Sequence, residues 1–133
     1  MTAIPPALAA LQPASAEAFL RASATVLPLV NERLLMLCRE QLQATQQRRL
    51  WQPPADCGEV ERLVLLLAEQ FAVDVNGISE AQMAVLTDAL GDEAVGTLVH
   101  ALYLVDMALR LELVAPVVLP EHGTALEITA KSP

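Results

Sequence analysis

The chain has 133 residues, 54% of them hydrophobic, only 3% aromatic and 18% charged, and its 16 acidic against 8 basic side chains leave a net charge of −8. That length is one domain, long enough to bury roughly two-thirds of the surface the unfolded chain exposes. Leu and Ala dominate over β-branched and aromatic residues, which favours helix and speaks against an all-β fold, and scarce, scattered basic residues offer no footprint for nucleic acid or an anionic membrane surface. The apolar fraction exceeds the usual, roughly 45–50%, so a domain this small is expected to have part of its apolar surface covered by something else.

Proline placement organises the chain. Pro lacks an N–H and clashes inside helices, and residues 55–115 contain none, so the helical body is predicted there. Residues 1–14, with Pro5, Pro6 and Pro13, read as an extended arm that carries no basic residue before Arg21 and so does not read as a signal peptide. Ser15 is the expected N-cap of a short helix to about Thr25, and Pro28 the first residue of a long helix to about Arg48, ending before Pro53-Pro54. Asp56 is the expected cap of a helix from Gly58 to Ala72, in which Leu63 to Ala68 is apolar on every side and so predicted to be buried all round.

After the Asn76-Gly77 turn signal, Ser79 with Gln82 three residues on has the capping-box pattern, opening a helix to about Leu90 that Gly91 stops. Asp92 is the expected cap of a last helix to about Leu113, with apolar residues Val95, Leu98, Val99, Leu102, Val105, Leu109 and Leu113 along its core face. Its uncharged run, Ala94 to Val105, is too short to cross a bilayer. Residues 116–133 are set apart as a C-terminal tail, within which Val117-Val118-Leu119 is expected to be extended, leaving 15–115 as one all-α helical bundle. Cys38 and Cys57 have neither metal-ligand nor disulfide-framework spacing, so buried free thiols in a cytoplasmic protein are expected. No metal or cofactor is predicted, because His100, Asp106 and His122 do not make a ligand spacing.

Several stretches resemble the alkylhydroperoxidase D-like and carboxymuconolactone decarboxylase superfamily. They are Asn31 to Leu37, Leu63 to Phe71, the Gly77-Ile78-Ser79-Glu80 cap and the closing Asp106 to Leu111, within a likeness that covers about residues 19–115. The resemblance implies an all-helical domain that assembles as a homo-oligomer, a trimer or hexamer, with Glu32 at the family's glutamate position. The peroxidase branch of that family follows its glutamate with Cys-x-x-Cys-x-x-x-His, and these positions fall here on Ala44, Gln47 and Trp51. Without a reactive thiol pair and a proton-relaying His, thiol peroxidase chemistry is not expected.

The remaining candidates are few. His100 lies mid-helix on a largely apolar face and reads first as a core histidine, with Glu32 and His100 as the acid–base pair of an alternative cofactor-independent decarboxylase or lactone-type enzyme. Tyr103, Asp106 and Arg110 share one side of the last helix, where Asp106 and Arg110 pair at i, i+4 as a structural ion pair or as ligand-binding groups. Trp51, the one Trp, either closes the old active-site pocket or anchors a subunit contact. The leading expectation is an oligomeric helical protein that binds a small molecule or protein partner, with a structural assembly partner as a further alternative.

Overall fold

The computed structural model describes residues 4–119, and among them the chain is helical throughout, without strands. Six helices follow in order: α1 (Pro6–Leu11), α2 (Pro13–Val26), α3 (Glu32–Gln46), α4 (Glu59–Val73), α5 (Glu80–Leu90) and α6 (Asp92–Val118).

The N-terminal segment is not an extended arm. Pro6 and Pro13 each stand at the first position of a helix, where a missing N–H costs nothing and the fixed φ is already helical. Ser15 consequently lies inside α2 rather than capping it. Pro28 opens no long helix either: it sits in a 3-10 turn, Leu27–Leu29, after which Val30 is extended and Asn31 caps α3, its Oδ1 accepting from the Leu34 N–H at 3.1 Å. Asn at an N-cap satisfies an otherwise orphaned donor, which here outweighs the preference of Pro for a first turn.

α3 closes on Arg48, a non-glycine residue at φ 55°, while the Arg49 N–H reaches back to the Ala44 carbonyl at 2.9 Å. Such left-handed closures are usually made by Gly or Asn. At α4 the cap is Gly58, and Glu61 accepts from its N–H at 2.9 Å, whereas Asp56 turns away to an ion pair. α4 is buried on one side only, since Leu66 stays 57% exposed opposite Val64, Leu67 and Ala68. α5 opens as expected, with Ser79 Oγ accepting from the Gln82 N–H at 3.0 Å. Gly91, at φ 89°, makes the turn into α6 and is its N-cap, with Asp92 and Glu93 in the first turn.

α6 runs through Pro116 to Val118 instead of ending before it. So near the helix end, Pro116 forfeits one N–H and leaves one carbonyl, that of Glu112, without its helical donor. Val117 and Val118 are therefore helical, not extended, and the rest of the predicted tail from residue 120, His122 included, lies outside the described residues.

The core forms where α3, α4 and α6 cross and α5 closes one side, around Leu42, Val64, Leu67, Leu86 and Leu102. Burying each large aliphatic side chain contributes about 1.5–3 kcal/mol. A smaller cluster of Leu37, Cys57 and Leu65 joins α3 to α4, and Trp51 packs against it from the connecting loop.

Candidate functional site

Two polar arrangements stand out. The first ties α6 to the ends of α3 and α4. Asp106 accepts from Gln46 Nε2 at 2.7 Å and from Arg110 Nε at 2.9 Å, and Gln46 Nε2 also reaches the Asp106 carbonyl at 3.2 Å. Arg110 Nη2 in turn donates to the Ala72 carbonyl at 2.8 Å, in the last turn of α4, where unpaired carbonyls and the helix dipole both favour a cation. One turn earlier, the Tyr103 ring meets Phe71 of α4 edge to face, centroids 4.7 Å apart. Asp106 and Arg110 thus form the expected i, i+4 pair, and its hydrogen bonds are spent on joining three helices. Half of the Arg110 side chain remains open to solvent.

The second arrangement lies beside Trp51. The loop after α3 folds back along that helix and leaves a cleft of about 410 Å³, walled by Met36, Leu37 and Trp51 and rimmed by Arg33, Glu40 and Gln52. Arg33 is committed: its Nε donates to Glu61 at 2.9 Å and its Nη2 to Asp56 at 3.1 Å. The Arg33 hydrogen bond, assisted by the Gly58 N–H, holds the Glu61 carboxyl below the usual carboxylate range. This tie is complete above that range and is released as acid protonates Glu61. Glu40 has Arg49 as its partner at 3.8 Å. The cleft therefore offers an aromatic face and aliphatic walls, with its ionic groups already paired.

Nothing in this region provides a thiolate. At the positions implied by the resemblance, Ala44 is buried and Gln47 is the exposed cap of α3. Cys38 is sealed in the core, where burial pushes its thiol up to about 12, and Cys57 is buried beneath Trp51.

Glu32 and His100 are both exposed, and neither lines the Trp51 cleft. They are also missing from a larger and less open cleft of about 630 Å³ formed by Leu29, Val30, Asn31 and Leu34 against the start of α6. His100 is not a core histidine: α6 is apolar nearly all round, so periodicity alone does not tell its inner from its outer side. Sequence reasoning missed Arg33, Met36, Asp56 and Glu61. The only local signal was Glu61 three residues after Gly58, the spacing of a helix cap.

Among the described residues no group of three or more His, Cys, Asp or Glu is placed to hold a metal ion, and no helix is long and apolar enough to cross a membrane. Comparison with protein-family models, curated proteins and solved structures finds no match for this chain.

Proposed function

We propose that the chain is a self-associating helical binding protein, a divergent alkylhydroperoxidase D-like relative that takes a small, largely apolar planar molecule beside Trp51 and lacks thiol redox chemistry. The observation that carries this reading is the Trp51 cleft. Its volume falls in the range of small-ligand sites, its walls are an indole ring and two aliphatic side chains, and its charged rim groups, Arg33 and Glu40, are each paired with residues outside the cleft. An aromatic wall favours stacking of a planar ligand, and a rim without a free base or nucleophile favours binding over turnover.

The single Trp makes the test direct. Anilinonaphthalene sulfonate, as a planar apolar probe, should quench Trp51 emission saturably. Met36→Glu, at an exposed cleft wall, should weaken that binding roughly tenfold, about 1.4 kcal/mol. Met107→Glu, on α6 and outside the cleft, is the control for dye held elsewhere. Absence of quenching, or equal quenching in the Met36 variant, would contradict the proposal.

A further inference from the structure

α6 has two apolar sides; among the described residues the core covers one, and α1 and α2 reach only the margin of the other, beside Met107 and Leu111. Leu98, Leu102, Val105 and Leu109 are buried against α3, α4 and α5. On the opposite side Gly96, His100, Tyr103, Met107, Arg110 and Val114, continued by Val117, are all exposed. They follow one another at alternating steps of four and three residues, the 3.5-residue period of a helix–helix seam, over about 32 Å at ~1.5 Å per residue. Glu93, three residues before Gly96, continues the same repeat at the start of α6, and from Gly96 to Val117 the seam carries no acidic residue.

Gly96 adds an independent observation. A glycine inside a helix costs about 1 kcal/mol relative to Ala, yet a Cβ built there meets nothing within 4 Å among the described residues. None of those residues requires the missing side chain. Close approach of a helix from outside would.

We propose that α6 packs antiparallel on α6 of a second copy of this chain, across a two-fold axis close to Met107. An isologous contact must be self-complementary, and the seam is. Reversed about Met107, it sets Tyr103 against Arg110 of the partner subunit and Gly96 against Val117 of the partner subunit. The guanidinium of Arg110 is held in place by Asp106 and the Ala72 carbonyl with half its surface open, and Tyr103 rests one side on Phe71 while 50% of it is exposed. A cation stacked on that ring is attracted to its π face.

A basic partner would be recognised by acidic residues on the seam, and from Gly96 to Val117 there are none. Two copies each carrying −8 meet best along a stretch that is free of acids. This inference rests on the self-association in the proposed function and specifies its geometry.

The test uses the full chain, with Cys38 and Cys57 retained because both are buried, and the unaltered chain as background. Met107→Cys, His100→Cys, Val114→Cys and the double variant carrying the last two are oxidised with copper phenanthroline and run without reductant, beside sedimentation of each unoxidised protein. A disulfide needs Cα atoms within about 7 Å, so only residues facing each other report. The geometry predicts a covalent dimer for Met107→Cys and for the double variant, and none for His100→Cys or Val114→Cys alone. Cross-linking by all three single variants would mean parallel helices and overturn the inference. An oligomer without a Met107→Cys cross-link would place assembly on another face, overturning the inference while leaving self-association intact. A monomer would overturn both, and a monomer that associates only when cut after Leu119 would show that residues 120–133 cover the seam in the same chain.

Discussion

Seen down its axis, α6 carries Leu98, Leu102, Val105 and Leu109 on one side and His100, Tyr103, Met107 and Val114 on the other. The inner residues are at most 5% exposed, while Tyr103 and Met107 remain 50% and 45% exposed. Both sides have large apolar side chains at helical spacing. Only the inner one meets the core, because α3 and α4 each present a single apolar stripe and both stripes turn toward the same side of α6. Hydrophobic pattern therefore specifies that this segment is a helix, and the packing of its neighbours decides which face is inside.

The sharpest way to break this comparison is to truncate one residue from each face. Leu102→Ala should destabilise the protomer by about 3–4 kcal/mol, from lost transfer energy plus the cavity left in a closed core, read by urea unfolding. Met107→Ala should change protomer unfolding by less than about 0.5 kcal/mol. If the two costs were alike, the outer face would be part of the protomer's own core.

A smaller effect is expected between the faces, at Asp106. Its removal takes the carboxylate from the Gln46 amide and the Arg110 guanidinium, leaving them the backbone carbonyls of residues 106 and 72, so Asp106→Ala should cost about 1–2 kcal/mol in the same measurement. Smaller still, and opposite in sign for the two states, is Gly96→Ala. The added Cβ meets nothing among the described residues, so helix propensity should raise protomer stability by up to about 1 kcal/mol. The same methyl group would stand in the proposed helix–helix contact and weaken association by sedimentation.

Much of the fold was readable wherever one local rule acted alone. The Ser79 cap, the turn at Gly91 and the existence of α4, α5 and α6 follow from capping residues, absent prolines and Leu-rich runs. Misreadings arose where two rules competed. In sequence the long helix reads as starting at Pro28, whereas α3 starts after Asn31, whose side chain supplies an acceptor to the Leu34 N–H. Pro6 and Pro13 read in sequence as breakers of an extended arm, whereas the chain uses them to begin helices.

The candidate sites divide in the same way. The Asp106–Arg110 pair is local, at i, i+4, and was legible, but its link to the Ala72 carbonyl depends on α4 arriving at that place. Trp51 stood out as the only Trp, whereas Arg33, Asp56 and Glu61 come together across 23 and 28 residues of sequence, a distance over which no spacing rule operates. Glu32 and His100 were chosen for their chemistry, and exposure on the outer sides of α3 and α6 is what residue type alone does not reveal.

Whether a second copy of the chain covers the outer face of α6, as proposed, is read by sedimentation equilibrium of the unaltered protein at micromolar concentration, repeated on Tyr103→Glu to place a charge on the seam. An even multiple of the chain mass is expected for the unaltered protein, with a shift toward the single-chain mass for the variant. A single-chain mass for the unaltered protein, or an assembly that Tyr103→Glu leaves unchanged, would contradict the proposal.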